Sequence, residues 1–331
     1  MRKNFKGLLF KGLLIICMMF ATIKLVSCQN GVSGQVEDLG SYFFGDLRWD
    51  EVPQLTYEGD WLRIPYLVEG FSEMIQAEFN WFFFVDGLPQ ATKLETLDGE
   101  IFREESYMHK FSLSYRERHE FYVLFRPVSG QIGEIIMAVD SAMFRPSYMP
   151  TNFNYPFFGM FHAITSTLPR EISINYEIQK TFLGNTTSEL QPISQEIMDV
   201  EMSWLGEGID LESNLRRFRR MSIIPTDIEF QVYYEGIIKA EDGYVHFIFL
   251  TYGGEESRRR ITFFVNHEPI QVDGFDYIEV DMEYGKMLMM EINLRLDNLN
   301  RYNIIYALMA TSGTAYDHDV FQTPTLLLIS E

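Results

Sequence analysis

The sequence predicts a mainly β protein made of two tandem β-sandwich domains with an irregular connecting region between them. Three observations support this prediction. Several segments alternate strictly between apolar and polar residues, turn-forming residues interrupt them at short intervals, and one strand–turn–proline pattern occurs twice. Alternation with a period of two is typical of strands that bury one face, and closely spaced turns favour a sandwich or barrel over alternating strands and helices.

The alternating segments lie in both halves of the chain. Residues 170–178 place every second side chain, beginning with Ile172 and Ile174, on one apolar face. Residues 227–234 alternate in the same way, and residues 244–250 are rich in the aromatic and β-branched residues that strands favour. We therefore expect a strand in each of these segments.

An internal repeat relates the two halves of the chain. Residues 83–89 read FFVDGLP and residues 263–269 read FFVNHEP, at an offset of 180. In each copy an apolar strand would run into a tight polar turn, and a proline would then limit further pairing because it lacks a backbone donor. Two later blocks match at an offset of 181, namely 111–113 with 292–294 and 119–125 with 300–306.

The repeat sets the predicted domain boundaries. We expect a first sandwich at residues 51–150, a connecting region with some β structure at 151–221, and a second sandwich at 222–331. A unit of about 100 residues fits an immunoglobulin-like or fibronectin-like β-sandwich. If the repeat is real, Pro89 and Pro269 should follow equivalent strands in the two sandwiches.

The first 27 residues have the organisation of an export signal. A basic leader precedes an apolar stretch, residues 13–21, that is too short to span roughly 30 Å of hydrocarbon. The sequence Leu25-Val26-Ser27-Cys28 follows. It resembles the lipobox of bacterial lipoproteins, in which the cysteine receives diacylglycerol and a peptidase cleaves just before it. The resemblance implies that residues 1–27 are removed and that Cys28 is the lipid-attachment site.

The use of cysteine agrees with acylation at Cys28. The chain has two cysteines, and Cys17 would leave with the signal, so the mature protein would have no intramolecular disulfide. Several acyl chains such as palmitate on one cysteine give stable membrane anchoring, whereas a single chain is marginal. Residues 28–50 would form a short lipidated tether, and we expect attachment to the cell membrane or outer membrane on the exported side.

The charge of the protein restricts its partners. The net charge is −20, and removal of the signal with its five basic residues takes it to −25. Such a surface repels polyanions, which disfavours nucleic acid as a partner. The composition, 47% hydrophobic and 15% aromatic, indicates a folded protein, because disordered segments are poor in aromatic residues.

The sequence contains no motif for catalysis, metal binding or a cofactor. The six histidines lack the local spacing of zinc ligands, and there is no Gly-x-Ser-x-Gly elbow, phosphate-binding glycine loop or dinucleotide fingerprint. Asp317-His318-Asp319 lacks the calcium-loop pattern and is interpreted as a hydrophilic loop. We expect no cofactor and no metal. The sequence does not exclude a catalytic pair of carboxylates of the glycosidase type among its 47 acidic residues.

Two basic islands interrupt the acidic sequence, and the first overlaps residues 212–221, where a short helix or a strand end is expected. They are candidate contacts with a partner or with an anionic membrane, where each basic side chain contributes about 1 kcal/mol. The alternative is that they pair with neighbouring acids. The first island is Arg216, Arg217, Arg219 and Arg220, and the second is Arg258, Arg259 and Arg260.

The predicted function is that of a membrane-anchored envelope lipoprotein that acts by binding or assembly with a protein or glycan partner. One alternative is a cell-envelope enzyme acting on glycans. Another is a solute-binding lipoprotein, which would require alternating helices and strands. An aromatic cluster at residues 153–161 is interpreted as packing between the domains, with an exposed partner-binding patch as the alternative.

Overall fold

A computed structural model defines the fold, which is mainly β as predicted. None of the helices in the described residues is long and apolar enough to cross a membrane. The predicted tether up to residue 42, including Cys28, lies outside the described residues. The structure describes residues 43–47, 56–57, 61–70, 77–85, 87–126, 134–141, 160–167, 173–174, 182–205, 208–227, 236–312 and 320–330.

The first sandwich consists of two sheets with the strand orders β1-β3-β9-β6-β7 and β11-β10-β4-β5, and β8 pairs with β4 in the second of these. A short parallel pair, β2 with β12, accompanies them. The strands are β1 (Phe43–Leu47), β2 (Thr56–Tyr57), β3 (Leu62–Gly70), β4 (Ala77–Val85), β5 (Leu88–Pro89), β6 (Thr92–Thr96), β7 (Ile101–Ser106), β8 (Met108–Leu113), β9 (Arg118–Phe125), β10 (Glu134–Ser141), β11 (Met160–Thr167) and β12 (Ser173–Ile174).

Aromatic side chains fill the space between these two sheets. The ring of Tyr66 on β3 lies 5.7 Å from that of Trp81 on β4, and the ring of Phe83 on β4 lies 4.9 Å from that of Phe125 on β9. All four side chains are at most 1% exposed. The rings therefore join the sheets face to face, as in a sandwich.

The second sandwich has sheets of strand order β13-β20-β18-β22-β24-β16 and β14-β21-β17-β15, with β19 beside β18 and β23 beside β22. This grouping corresponds to the two sheets of an immunoglobulin-like sandwich. The strands are β13 (Gly184–Thr187), β14 (Leu190–Pro192), β15 (Arg219–Pro225), β16 (Ile237–Ala240), β17 (Tyr244–Gly253), β18 (Ser257–Val265), β19 (Glu268–Ile270), β20 (Tyr277–Met282), β21 (Lys286–Arg295), β22 (Tyr302–Ser312), β23 (Val320–Gln322) and β24 (Leu326–Ser330).

Two helices cover part of the outer face of the β14-β21-β17-β15 sheet. They are α1 (Gln195–Trp204) and α2 (Leu211–Arg217), and the side chains of Ser194 and Asp210 cap their amino termini. Ile197 and Leu215 pack with sheet residues into one buried cluster. The described residues contain no alternation of long helices and strands, the pattern that an α/β solute-binding protein needs.

The structure divides the predicted connecting region, 151–221, between the two sandwiches. Strand β11 pairs with β10 and completes a sheet of the first sandwich, whereas β13, β14 and β15 join sheets of the second. The second sandwich therefore begins by Gly184, well before the predicted boundary at 222. The helix expected over 212–221 ends at Arg217, because the chain turns there into β15.

The strand pairing confirms the predicted equivalence of Pro89 and Pro269. Phe84 pairs with Pro89 across the turn from β4 to β5, and Phe264 pairs with Pro269 across the turn from β18 to β19. In both sheets the strand before the turn also pairs with a late strand, β10 in the first sandwich and β22 in the second. The offset of 180 thus relates equivalent strands.

The blocks matched at an offset of 181 are not equivalent in the structure, and that prediction is wrong. Residues 111–113 lie in β8, in the same sheet as β4, but residues 292–294 lie in β21, in the sheet opposite β18. The register shows that the offset is smaller beyond the repeated turn. Val85 pairs with Ile135 and Val265 pairs with Ile305, so these late strands correspond at an offset of 170.

An apolar interface joins the two sandwiches. Phe82 and Phe84 on β4 of the first sandwich pack into one buried cluster with residues of the second, including Phe264 and Tyr306. The rings of Phe82 and Phe264 are 6.4 Å apart, and those of Phe264 and Tyr306 stack at 5.1 Å. The aromatic cluster that the sequence suggested for this role, at 153–161, falls on residues whose side chains lie outside the described part.

Candidate functional site

The second basic island is neutralised within the sheet that carries it. Arg258 and Arg260 lie on the face of β18 that points away from the core of the second sandwich, and their partners on β20 lie directly opposite in the register. Arg258 Nε is 2.9 Å from Asp281 Oδ1, and Arg260 Nε is 2.7 Å from Glu279 Oε2. The ion pair lowers the pKa of Asp281 and raises that of Arg258.

Arg259 does not lie at the surface, which corrects its assignment as a partner contact. Its side chain is 0% exposed, because alternate residues of a strand point to opposite faces. The guanidinium donates hydrogen bonds to the Thr251 hydroxyl at 3.1 Å and to the Gly253 carbonyl. Arg259 therefore holds the turn between β17 and β18 from inside the domain.

The first basic island is also largely paired. Arg216 Nη2 is 3.2 Å from Glu212 on the same helix, and Arg220 Nε is 3.2 Å from the buried Glu201. Arg217 is exposed and lies over the ring of Phe218 at 5.3 Å. A role of the exposed members in binding a partner stays a prediction.

The fold brings the two islands together at the turn between β17 and β18. Arg219 pairs with Gly253 in the register, and the side chain of Arg219 lies against Gly254. Arg216 is 3.8 Å from Glu255 in the same turn. The islands thus form one mixed cluster of arginines and acids, not a free positive patch.

Glu201 is a buried carboxylate that fastens the helices to the second sandwich. It is 1% exposed and accepts hydrogen bonds from Tyr252 at 2.7 Å, from Asn214 at 3.1 Å and from Arg220. Burial and the bond to Glu201 raise the pKa of Tyr252, which stays protonated as a donor. Because donors from α2, β15 and β17 satisfy the carboxylate, its role is structural.

Two histidines are buried and neutral. His109 Nε2 is 2.9 Å from the Thr92 hydroxyl, and His267 Nδ1 is 3.1 Å from the Tyr306 hydroxyl. Burial lowers the pKa of His109 to about 4 and that of His267 to about 3. The described residues contain no group of three or more side chains that would hold a metal ion. His318 and its flanking aspartates lie outside them.

The outer face of the β1-β3-β9-β6-β7 sheet carries a different kind of cluster. Trp61 comes just before β3, and the basic groups of two residues distant in the sequence lie over its ring. Lys93 Nζ on β6 is 4.7 Å from the ring centroid, and Arg126 Cζ just after β9 is 4.5 Å from it. Cations at these distances are attracted to the electron-rich face of an indole ring.

A second cation–aromatic pair adjoins the first. The guanidinium of Arg63 lies 3.4 Å from the centroid of the Tyr122 ring, and Arg63 Nη2 is 2.5 Å from Glu95 Oε1. The Arg63 side chain is 44% exposed. We call the five residues Trp61, Arg63, Lys93, Tyr122 and Arg126 the Trp61 surface.

The strand register explains why these residues meet. Arg63 and Lys93 each pair with Leu124 of the central strand β9, so the three residues form one row across β3, β9 and β6. Leu62 and Ile64 on either side of Arg63 are buried in the core. Arg63 therefore points outward by simple alternation.

The Trp61 surface carries a local excess of positive charge in an acidic protein. Among the described residues, neither Lys93 nor Arg126 has a carboxylate within ion-pair distance, whereas Arg63 forms an ion pair with Glu95. As far as the structure describes it, the surface thus holds three cations against one carboxylate, although the chain as a whole has a net charge of −20. Sequence analysis missed it because its cations come from three separated strands. The sequence signal was the alternation of Trp61 and Arg63 around a buried leucine.

No protein-family model matches the chain, and no curated protein matches it. Solved structures with which it shares 7–10% sequence identity include a protein of unknown function from Porphyromonas gingivalis W83, with a TM-score of 0.20 over 87% of this chain and 99% of that one. The class 5 fimbriae chaperone CfaA has a TM-score of 0.18 over 86% and 99% of the two chains. BcpA, the major pilin subunit of Bacillus cereus, has a TM-score of 0.22 over 76% and 69%. With TM-scores this low, the fold assignment rests on the strand pairing of this chain.

Proposed function

We propose that this protein is a lipid-anchored component of the bacterial cell envelope that acts by binding or assembly with a protein or glycan partner. The observation that carries the proposal is the sequence Leu25-Val26-Ser27-Cys28 directly after a basic and apolar leader. The first described strand, Phe43–Leu47, begins 15 residues after Cys28. A lipidated cysteine would therefore hold the sandwiches close to the membrane.

The joined sandwiches support binding or assembly as the mode of action. The cluster around Phe82 and Phe264 removes the surfaces between the two units from water, which opposes their independent rotation. Outer faces such as the Trp61 surface, where Arg63 and Arg126 are exposed, are then presented in a fixed relation. A rigid support with an outward-facing cluster of cations suits recognition of another molecule.

The proposal is tested by replacing Cys28 with alanine in the full chain and following incorporation of labelled palmitate. We expect the variant to lose the label and to accumulate as the uncleaved precursor. The matched control is Cys17→Ala, which changes the other cysteine of the chain. This control should be labelled and processed normally, because Cys17 leaves with the signal. Full labelling of the Cys28→Ala variant would contradict the proposal.

A further inference from the structure

We propose that the Trp61 surface is the face by which the anchored protein lies against anionic phospholipid head groups. This inference rests on the lipid anchor proposed above and adds an orientation to it.

The tether brings this sheet within reach of the membrane. The 15 residues from Cys28 to Phe43 span at most about 50 Å when fully extended. Strand β1 then pairs along β3, from Phe43 opposite Gly70 to Leu47 opposite Tyr66. Since the nine residues of β3 span about 30 Å, Trp61 at the far end of that strand remains within the length of the tether.

The charges of the surface suit a bilayer that displays phosphate groups. Lys93 and Arg126 have no carboxylate partner among the described residues. In the arginine islands, by contrast, Arg220 pairs with Glu201 and Arg260 pairs with Glu279. Indole rings favour the boundary between head groups and acyl chains. Each basic side chain close to an anionic bilayer strengthens binding about fivefold.

The strand pairing favours a broad surface over a peptide as the occupant. Strands β3, β9 and β6 each have hydrogen-bonded neighbours on both sides, so a peptide cannot add to them as a further strand. A ligand at this face would be contacted by side chains alone. The covalent anchor also keeps the bilayer at a high effective concentration near this face, which no soluble polymer shares.

The experiment uses the mature chain, residues 28–331, with Cys28→Ser so that binding does not depend on acylation. Its binding to vesicles of phosphatidylcholine mixed with phosphatidylglycerol is compared with that of a Lys93→Gln/Arg126→Gln variant. We expect the variant to bind more than tenfold more weakly at low salt, since about fivefold is lost per cation. High salt should reduce this difference, because surface charges are then screened.

The matched control is Arg216→Gln/Arg217→Gln, which removes the same charge from the exposed side of α2. We expect this control to bind like the parent. Equal losses in the two variants, or no loss in either, would overturn the proposal. Cation-dependent binding to a soluble polyuronate but not to the vesicles would overturn it too, and would indicate a glycan ligand. Because acylation is absent, these outcomes are independent of the labelling of Cys28.

Discussion

At the scale of single residues, the buried histidines make stability depend on pH. His109 is held neutral between β6 and β8, where burial lowers its pKa from an ordinary value of 6.5 to about 4. The unfolded chain therefore binds the proton more readily than the folded one between these values. The free energy of unfolding is therefore highest above about pH 6.5, where His109 is neutral in both states, and it decreases progressively as the pH falls toward 4.

We predict that replacing His109 with glutamine flattens this pH dependence. Between pH 7 and pH 5, protonation of His109 should lower the free energy of unfolding of the parent by about 2 kcal/mol. The total decrease in the variant should be smaller by this amount. Chemical denaturation at the two pH values measures the difference. The control His246→Gln changes an exposed histidine of β17 and should keep the parent's pH response. An unchanged response in His109→Gln would show that another group is responsible.

The arginines show which parts of the candidate site the sequence could predict. Neighbouring arginines in sequence suggested a positive patch, but alternation along β18 sends Arg259 inward and its neighbours Arg258 and Arg260 outward to cross-strand acids. Lys93 and Arg126, the two cations of the Trp61 surface that have no such partner in the described part of the chain, are 33 residues apart in the sequence. Their meeting at Trp61 depends on strand order, which single-sequence patterns do not encode.

At the scale of secondary structure, an extra hairpin distinguishes the two copies of the fold. The first sandwich inserts β6 and β7 between β5 and β8, whereas β19 is followed directly by β20 in the second. This insertion reduces the offset from 180 at the repeated turn to 169, the value that relates His109 to Ile278. The local strand–turn–proline pattern was predictable, but the insertion was not. The added strand β6 also supplies Lys93 of the Trp61 surface.

We predict that the repeated turn of the first sandwich is sensitive to a single methyl group. Gly87 has φ +77°, and a Cβ added there would lie 3.2 Å from the Cβ of Ala310 in the second sandwich. Gly87→Ala should therefore cost about 1–2 kcal/mol for the backbone conformation and more for the contact. Thermal and chemical unfolding measure the loss.

The control for this turn is Gly99→Ala in the hairpin between β6 and β7. Gly99 has φ +88°, but a Cβ there would meet nothing within 4 Å. The control should show only the cost of the backbone conformation. Equal losses in Gly87→Ala and Gly99→Ala would mean that the turn does not press against the second sandwich.

At the scale of the whole molecule, the sandwiches share buried apolar surface beyond their own cores. The same strand β4 turns Trp81 and Phe83 toward the first core and Phe82 and Phe84 toward the second sandwich. A strand buried on both faces is continuously apolar, as the run from Trp81 to Val85 is. The interface therefore follows from one strand that contributes to two cores.

We predict that Phe82→Ala separates the unfolding of the two sandwiches. Phe82 is 0% exposed and contacts Phe264, so truncation should cost about 3–5 kcal/mol, mostly from the shared cluster. Hydrogen exchange followed by mass spectrometry should show β3 and β17 opening together in the parent and independently in the variant. The control Phe102→Ala removes a ring that is 36% exposed on β7 and should leave the coupling intact. If β3 and β17 still open together in Phe82→Ala, the cluster does not couple the sandwiches. The proposed fixed arrangement of the Trp61 surface relative to the second sandwich would then be wrong, because it depends on this cluster.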